Sequence, residues 1–597
     1  MTEIDRERRT FAAGGGFLID DAPPGSVSTP EDFTEEQRMF ADATEEFVDR
    51  EVLPHDEDIE KLNYDLTVKL LRKAGELGLL GADVPEAFGG LGLDKISSTI
   101  INERLARASS FALSVGAHVG IGTLPIVFFG TREQKERYLP QLATGEKIAA
   151  YCLTEPGSGS DALGAKTTAR LSDDGKHYLL NGSKIYITNG GFADVFIVYA
   201  KIDGTDFSAF IVERGMPGFS NGPEEKKMGI KGSSTVPLYF EDVPVPKENL
   251  LGERGKGHVI AFNILNIGRF KLAAGALGGC KEAIALAASY ANERRQFGRA
   301  ISEFPLVRAK LADMNIRTYA LESMVYRTAG LVDEALEGID YGAVDAGLKS
   351  AKAIAEYAIE CSVNKVFASE ALDFVVDEGV QIHGGYGYVQ EYKIERMYRD
   401  SRINRIFEGT NEINRLLIPG TLLKKSMKGE LPLLKAAQQF QGELLSMAPP
   451  ASFEETLAQE THLVGTMKKL FLFVGGAAVQ KYGLQFEQEQ EALADLADMI
   501  IGTYAAESAL LRTKKRIAAD GEAKAGLSIA MTSAFVQETF EELERIARRR
   551  LSAMEQGDAL RTMLSALKKL TRHQPLDVTA LKRTVAARVV ENARYAY

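Results

Sequence analysis

The chain has 597 residues, of which 45% are hydrophobic and 26% are charged, and its formal net charge is −12 at pH 7. A chain of this length is too long for one hydrophobic core, so we expect several domains that each bury a core of their own. The acidic balance argues against a nucleic-acid groove, which needs a basic face. Three widely spaced cysteines and seven histidines without metal-ligand spacing argue against a disulfide framework and against a metal site.

Residues 1–30 are punctuated by Gly, Pro and Ser, which predicts a flexible leader, packed in part on the body of the protein. The segment has no apolar stretch long enough for a signal peptide, and its acidic residues argue against a transit peptide. No run of the chain approaches the ~18 apolar residues expected of a membrane span. We therefore expect a soluble, cytoplasmic protein, with weak peripheral contact with the inner face of a membrane left open.

Residues 31–145 show apolar residues at spacings of three and four, which predicts an N-terminal helical domain. Within it, the stretch SVGAHVGIG (114–122) carries Gly116, Gly120 and Gly122. Glycines in a helical context fit either a tight helix crossing or room for a long ligand.

Residues 146–252 change to β-branched and aromatic runs broken by Asp174-Gly175 and Asn181-Gly182, which predicts a small antiparallel β domain. The stretch YCLTEPGSGSD (151–161) opens this domain with small residues and hydroxyls in a turn. Backbone amides of such a turn can approach a planar or phosphorylated ligand closely, while a plain Gly/Ser turn between strands is the structural alternative.

Long amphipathic helices return over residues 253–425 and predict a helical bundle. Residues 426–450 are typical of a linker, and residues 451–597 predict a separate C-terminal helical domain without a chemical motif. Within that domain, residues 463–482 are either part of the bundle core or a membrane-facing amphipathic helix.

Four arginines, at 396, 399, 402 and 405, recur every three residues, which predicts four cations along one side of a helix. Thr410 and Asn411 are candidate caps of a further helix, predicted to begin near Glu412 and to end at Pro419-Gly420.

Glu408 thus falls on a bend between two predicted helices, after the apolar pair Ile406-Phe407 and before Gly409. Desolvation at such a bend would raise the pKa of its carboxylate toward the range of a general base near neutral pH. A surface charge in a turn is the structural alternative.

The stretches RIFEGTNEINR (405–415) and QIHGGYGY (381–388) together resemble the signature region of the acyl-CoA dehydrogenases. TEPGSGSD, KIYITNGG and RRQFG also resemble motifs of this family, in the family's order, and the resemblance runs from about residue 35 to 425. The extra C-terminal domain and the stretch PEEKKMGIKGSST (223–235) are most similar to the very-long-chain type and its bacterial relatives. The resemblance implies a mainly α fold with a central antiparallel, barrel-like β domain, a four-helix-bundle domain and an extra C-terminal helical bundle.

By this resemblance Glu408 is the catalytic base. The residues implied to bind FAD are Tyr151, Leu153, Thr154, Gly159, Ser160, Tyr186, Thr188, Arg294, Gln296, Phe297, Gln381, His383, Gly384, Gly385, Thr410 and Glu412. The residues implied to contact acyl-CoA are Ser160, Asn266, Arg269 and Gly409. Arg294, Gln296 and Phe297 would reach the cofactor across a dimer interface. The family usually has Trp where this chain has Tyr186, and the chain contains no Trp.

The resemblance implies FAD-dependent α,β-dehydrogenation of a long or very long fatty acyl-CoA to trans-2-enoyl-CoA, the first step of β-oxidation. It also implies a homodimer and an electron-transfer flavoprotein as electron acceptor. An acyl-CoA oxidase that reduces oxygen would share these motifs. A DNA-binding flavoprotein relative with little dehydrogenase activity is a further alternative, for which residues 514–516 and 548–550 supply basic clusters in an otherwise acidic chain.

Overall fold

The computed structural model describes residues 12–341, 343–444 and 453–597. Helices surround one central sheet, and the predicted fold class is confirmed. The N-terminal helices are α1 Glu35–Phe47, α2 Asp56–Glu60, α3 Tyr64–Glu76, α4 Lys95–Leu105, α5 Ser110–Gly116, α6 Leu124–Phe129 and α7 Arg132–Ala143. Thr34 and Gln37 form a capping box that fixes the start of α1. Between α5 and α6 the chain continues as a π-helical segment, Ala117–Thr123, a widened turn that often occurs near functional sites.

The middle of the chain forms an eight-stranded sheet. Its strands are β1 Ala149–Cys152, β2 Thr168–Leu171, β3 His177–Thr188, β4 Val195–Ile202, β5 Asp206–Glu213, β6 Phe219–Asn221, β7 Thr235–Pro246 and β8 Leu250–Leu251. The strand order is β6-β7-β3-β2-β4-β5-β8, with β1 beside β4. Most pairs are antiparallel as predicted, whereas β4 runs parallel to β1 and to the start of β2. Nearly every residue of β4 is buried, which accounts for its unbroken apolar sequence.

A helical bundle follows the sheet. Its elements are α8 Gly257–Glu293, the short hairpin β9 Arg295–Gln296 and β10 Arg299–Ala300, α9 Pro305–Leu336, α10 Ala346–Glu356, α11 Ala358–His383, α12 Lys393–Ser401 and α13 Asn411–Met427. Buried alanines on α8, such as Ala273, Ala283 and Ala287, bring α8 close to its neighbours in the bundle core. This packing makes α8 a rigid wall for the site described below.

Two local predictions in this bundle are wrong. The arginine series does not lie along one helix, because α12 ends at Ser401 and Arg402–Arg405 form a 3-10 turn. The helix predicted to end at Pro419-Gly420 continues to Met427. Ile418 and Leu422 are both buried on that helix, and their tertiary packing outweighs the local cost of the proline.

The predicted leader and linker fall partly outside the described residues, at positions 1–11 and 445–450. The part of the leader that the structure describes is packed on the body of the protein. The N–H groups of Gly14 and Gly15 donate to the carboxylates of Glu356 at 2.9 Å and Glu360 at 2.7 Å, and Leu18 is buried. Within the predicted linker, residues Leu433–Leu444 form helix α14.

The C-terminal helices share one hydrophobic core with the bundle, so this region is less separate than predicted. They are α15 Ala458–Tyr482, α16 Gln490–Asp520, α17 Glu522–Met554, α18 Gly557–Leu570 and α19 Val578–Asn592. A buried ionic network reinforces the junction. Arg512 of α16 donates to Glu322 of α9 at 2.7 Å and to Glu31 of the N-terminal segment at 2.8 Å, while Lys281 of α8 pairs with Glu322 and with Glu103.

Three helical stretches are long and apolar enough to cross a membrane by length and composition, contrary to our expectation that no run reaches that length: Ser110–Phe129, Gly257–Glu293 and Ala458–Tyr482. Of their most apolar windows, 78%, 56% and 67% are buried inside the protein, respectively. Leu463, Met467 and Val474 lie in the bundle core, which agrees with the core interpretation of residues 463–482.

Candidate active site

The bend that carries Glu408 is held in an uncommon backbone conformation. Glu408 has φ +57° and Gly409 has φ +79°, both in the left-handed region. For a residue with a side chain this conformation costs on the order of 1 kcal/mol and persists only where the surroundings hold it. Here Arg269 of α8 donates from Nε to the Glu408 carbonyl at 3.2 Å, and Lys365 of α11 donates from Nζ to the Gly409 carbonyl at 2.7 Å. Asn414 of α13 also donates to the Gly409 carbonyl, at 2.8 Å. Three helices therefore fix the direction of the Glu408 side chain.

The Glu408 carboxylate is dry and unpaired. Its Oε2 atom is buried and has no hydrogen-bond partner within the described part of the chain, although the residue as a whole keeps some exposed surface because it lines a cavity. Burial raises the pKa of Glu408 to about 7, while the charges of Arg269 and Lys365 act in the opposite direction. A carboxylate with this pKa exists in both protonation states near neutral pH, as a general base requires.

Gly268 makes room for this carboxylate. A Cβ atom at Gly268 would lie 2.7 Å from Cδ of Glu408, inside any permitted contact distance. The glycine is one residue before Arg269, so one turn of α8 both holds the Glu408 backbone and accommodates its side chain. Gly268 was not among the predicted site residues.

Arg269 and Asn266 support the bend. Both are buried, and Arg269 donates from Nη1 to Asn266 Oδ1 at 2.9 Å. Burial lowers the pKa of the Arg269 guanidinium, and the charge of Glu408 opposes that change. These residues were predicted to contact acyl-CoA, and the structure places them directly behind Glu408.

A cavity of about 220 Å³ begins at Glu408 and runs between two helix faces. One face belongs to α8 and is lined at positions 268, 271, 272, 275, 276 and 279. The other runs from residue 109 through α5 and the π-helical segment and is lined at positions 109, 112, 113, 116, 117, 120 and 121. These spacings are those of one side of a helix. Because Gly120 faces Lys271 while Ala106 faces Gly278, the two faces run in opposite directions.

The three glycines of the stretch 114–122 have different roles. Gly116 and Gly120 line the cavity, and a Cβ atom at Gly116 would meet nothing within 4 Å. A Cβ atom at Gly122 would lie 2.7 Å from the Cβ of Ala149, so this glycine permits a close crossing with β1. The two interpretations left open from the sequence therefore apply to different glycines.

Two of the predicted flavin residues of the β domain, Thr188 and Tyr151, lie near Glu408. Thr188, at the end of β3, lines the cavity together with Glu408. The Tyr151 hydroxyl is buried without a hydrogen-bond partner in the described residues, and burial, with smaller contributions that include the charge of Glu408, raises its pKa well above the usual value. Tyr186 has φ +59° and is 62% exposed.

The turn between β1 and β2 leaves its backbone open. Gly159 and Ser160 are exposed, and a Cβ atom at Gly159 would meet nothing within 4 Å. Leu153 and Thr154 accept hydrogen bonds at their carbonyls from Lys184 at 3.2 Å and from Ile185 at 2.9 Å. An orphaned hydroxyl, an exposed aromatic ring and an open glycine turn fit a planar cofactor laid against this edge of the sheet.

A second cavity collects most of the other predicted cofactor residues. Arg294, Gln296, His383, Gly384 and Gly385 line it. His383 stacks on Tyr290 with ring centroids 4.2 Å apart, and burial lowers its pKa.

Two further predicted cofactor residues, Phe297 and Gln381, are exposed beside this cavity, and Phe297 is 93% exposed with φ +51°. None of these residues lines the Glu408 cavity of the same chain. They can therefore contact the predicted cofactor only where it lies outside that cavity.

The remaining predicted cofactor residues begin α13. The Thr410 hydroxyl accepts from the Ile413 N–H at 3.2 Å and caps the helix, and Glu412 is exposed in the first turn. The sequence analysis missed Lys365, which holds Gly409 and also donates to Asn411 Oδ1 at 2.7 Å. Its signal is a lysine within the mostly apolar stretch VNKVFA of α11, where burial lowers the pKa of the ammonium to about 8.

Comparison with known proteins agrees with this site. The chain matches the acyl-CoA dehydrogenase N-terminal domain over residues 34–146, the middle domain over residues 150–243, and two acyl-CoA dehydrogenase C-terminal domain families over residues 255–423 and 466–569. The chain therefore belongs to the acyl-CoA dehydrogenase family.

Relatives of nearly full length are among the matches. A probable acyl-CoA dehydrogenase of Bacillus subtilis is 60% identical over 582 residues, which cover 98% of both chains. The crystal structure of an acyl-CoA dehydrogenase complexed with FAD from Bacillus anthracis superimposes with a TM-score of 0.97 at 59% identity, covering 98% of this chain and 100% of that one. The human mitochondrial very-long-chain specific acyl-CoA dehydrogenase is 41% identical over 425 residues, which cover 69% of this chain and 62% of the human protein. FAD is the cofactor of this family.

Proposed function

We propose that this enzyme dehydrogenates long-chain fatty acyl-CoA to trans-2-enoyl-CoA, with Glu408 as the base that removes the α-proton. The observation that carries this proposal is a buried, unpaired carboxylate with a pKa of about 7 at the head of a long helix-lined cavity. The reaction is the first step of fatty-acid β-oxidation.

The residues around Glu408 supply the other requirements of proton removal. The Glu408 N–H donates to no acceptor in the described ranges, so it is available to the thioester carbonyl, where it would stabilise the developing enolate. Arg269, Lys365 and Asn414 hold the carbonyls of the same bend and keep that N–H in place. Tyr151, Tyr186 and Thr188 would hold FAD, which would supply the hydride acceptor for the β-hydrogen.

The dimensions of the cavity support a long acyl chain. The helix from Gly268 to Gly279 runs along its length, and these 11 steps at a rise of about 1.5 Å per residue span about 16 Å. With C–C bonds of about 1.5 Å, an extended acyl chain advances about 1.3 Å per carbon, so this length holds about 12 carbons beyond the reacting pair. Small residues along the middle of the cavity, among them Gly116, Ala117 and Gly275, keep it open.

We also propose that two copies of the chain form a dimer that completes the cofactor site. Tyr386 lines the second cavity, and the aromatic rings of Tyr386, Phe297 and Tyr388 near it are exposed, as at a surface that binds another chain. A cofactor bound at one protomer would then be contacted by Arg294 and Gln296 of the other. Sedimentation velocity and FAD content test this. Phe297→Asp is expected to give monomers that lose FAD, and a variant that stays dimeric and FAD-loaded would contradict the proposal.

An anaerobic titration with acyl-CoAs of graded length tests the reaction and the chain length together. Long-chain substrates are expected to bleach the flavin stoichiometrically. Turnover with an added electron acceptor is expected to give the best kcat/KM at about 14 to 16 carbons, the length estimated from the helix rise. Electron-transfer flavoprotein is the proposed acceptor. Hydrogen peroxide formed in air at the rate of substrate oxidation would identify an oxidase in place of a dehydrogenase.

The structure offers little support for the DNA-binding alternative, because several cations of the two basic clusters are paired with acids. Arg548 pairs with Glu544 at 3.1 Å, and Arg550 pairs with Asp495 at 2.7 Å. In the other cluster, Lys515 pairs with Asp32 at 2.6 Å. Salt-dependent binding to duplex DNA would reopen this alternative.

A further inference from the structure

The end of the cavity farthest from Glu408 is lined by cations. Arg107, Lys393 and Arg396 all contribute to the wall. Two contacts place them at the far end. Lys393 donates from Nζ to the Arg107 carbonyl at 3.3 Å, and Ala106, which precedes Arg107 in the sequence, faces Gly278. Gly278 is ten residues from Gly268, beside Glu408. The cavity thus has an acid at one end and three cations at the other.

The middle of the cavity is mostly apolar, and the ammonium of Lys271, which also lines it, is paired with Asp83 at 2.6 Å. Ala112, Leu113, Ala117, Leu272 and Ala276 line it between the two ends. Asp400 also lines the wall, one turn of α12 closer to Glu408 than Arg396, and its carboxylate accepts hydrogen bonds from the Ser109 hydroxyl and from the Ile230 N–H. This arrangement suits a ligand with a methylene chain between two polar ends.

The cations keep hydrogen-bond donors that the described residues do not use. Arg396 donates to Asp56 through Nη2 alone, which leaves its Nε and Nη1 without a partner in that part of the chain. Arg107 uses Nε for Glu282 at 3.1 Å and Nη1 for Asp49 at 2.8 Å and for Glu45 at 3.5 Å, and its Nη2 makes no hydrogen bond there. Lys393 pairs with Glu282 at 2.9 Å. Glu45, Asp49, Glu282 and Asp56 do not line the cavity, whereas Asp400 lines it within reach of the charge of Arg396.

The cations at the far end of the cavity favour an acyl chain that ends in a carboxylate over one that ends in a methyl group. A terminal methyl group at the far end would take charged groups out of water and give no hydrogen bond in return. A terminal carboxylate would accept charge-assisted hydrogen bonds, for which the fork of an arginine is well suited. We propose that the far end of the cavity recognises a second carboxylate, so that the enzyme acts on the mono-CoA thioesters of long α,ω-dicarboxylic acids.

This inference rests on the proposed dehydrogenase function and adds a substrate class to it. The span of about 16 Å at 1.5 Å per residue matches chains of about 14 to 16 carbons, whose second carboxylate reaches the cations. In a short dicarboxylyl chain the second carboxylate would lie in the apolar middle, where an ionised group is disfavoured. The preference is therefore expected to depend on length.

The test compares kcat/KM of the FAD-loaded enzyme for matched pairs of substrates. Hexadecanedioyl-CoA is expected to equal or exceed palmitoyl-CoA, while octanedioyl-CoA is expected to be at least about tenfold poorer than octanoyl-CoA, because its carboxylate is buried without a partner. A wild-type enzyme that discriminates against the dicarboxylyl substrate equally at both lengths overturns the inference without any variant. If palmitoyl-CoA itself is not dehydrogenated, the proposed function fails instead.

Variants locate the effect. Arg396→Gln is expected to lower the ratio of hexadecanedioyl-CoA to palmitoyl-CoA turnover by about 10- to 100-fold, the loss that corresponds to a hydrogen bond to a charged group. Arg402→Gln is the matched control, because Arg402 is exposed, lies on the next turn and does not line the cavity. Its ratio is expected to equal that of the wild type. An unchanged ratio in Arg396→Gln overturns the assignment to this end of the cavity.

Discussion

Replacing Glu408 with Gln separates a catalytic role from a structural one, because the two roles predict opposite effects on stability. The amide keeps the size of the side chain and the left-handed backbone, and it removes only the charge and the basicity. We expect FAD and acyl-CoA binding to be retained and turnover to fall by about 10³-fold or more, toward the upper part of the range for the loss of a general base.

The stability effect follows from the pKa of the carboxyl group, which rises from 4.5 to about 7 on folding. Below about pH 4.5 the group is neutral in both states and costs nothing. Between pH 4.5 and about 7 the folded state is increasingly disfavoured, and above pH 7 the cost levels off at about 3 kcal/mol, since one pKa unit is worth about 1.4 kcal/mol. Gln has no such cost, so the variant is expected to be more stable than the wild type at pH 8 and nearly equal to it near pH 4.5.

Melting of the FAD-loaded wild type and variant at the two pH values measures this difference, and single-turnover flavin reduction measures the chemistry. Glu487→Gln, at an exposed carboxylate of the C-terminal region, is the control and is expected to change neither. A Glu408→Gln enzyme that turns over at a near-normal rate, or that is less stable than the wild type at pH 8, would refute the reasoning. In the wild type, kcat/KM should rise with pH through about 7, as Glu408 loses its proton.

Three further predictions concern the surroundings of Glu408. Gly268→Ala is expected to displace the Glu408 carboxylate and lower kcat by about 10²-fold. Gly275→Ala is the control and should have little effect, because Gly275 lies on the same face of α8 but a Cβ atom there meets nothing within 4 Å. Equal activities of the two variants would contradict the steric argument. Gly116→Phe is expected to block the cavity, so that the kcat/KM ratio of palmitoyl-CoA to octanoyl-CoA falls by at least about tenfold, and an unchanged ratio would place the acyl chain elsewhere. Lys365→Met removes a charge that lowers the pKa of Glu408, so the rising limb of the pH–rate profile should move to higher pH, and a shift to lower pH would refute that role.

Much of this site could be predicted because its residues occur in short stretches. The bend at Glu408, the cap at Thr410 and the glycine-rich turn at Gly159 are local features with local signals. The assignment of these features to a flavin enzyme came from the resemblance to a family. Spacing alone left two alternatives open, a surface carboxylate at Glu408 and a plain turn at Gly159. The burial that gives Glu408 its pKa could not be read from the chain.

Contacts between distant segments escaped prediction. Lys365 and Gly268 act on Glu408 from 43 and 140 residues away in the sequence, and no periodicity connects them with it. The helix through Pro419 was predicted to end there because proline disfavours helix interiors, yet the burial of Ile418 and Leu422 outweighs that preference. The arginine series suggested one charged helix face, and the structure instead divides it between a helix and a turn.

The ionic network around Arg512 has a practical consequence for anyone who wishes to shorten this enzyme. The buried carboxylate of Glu322 is paired with both Arg512 and Lys281. If it lost one of these two cations, its remaining burial would destabilise the folded state. Cutting the chain before α15 would remove that cation and open the shared core, so the catalytic half would be left with a misplaced charge and a bare apolar surface. A minimal version therefore requires a redesigned α9, with Glu322 replaced and its outer face made polar, and simple truncation will not produce it.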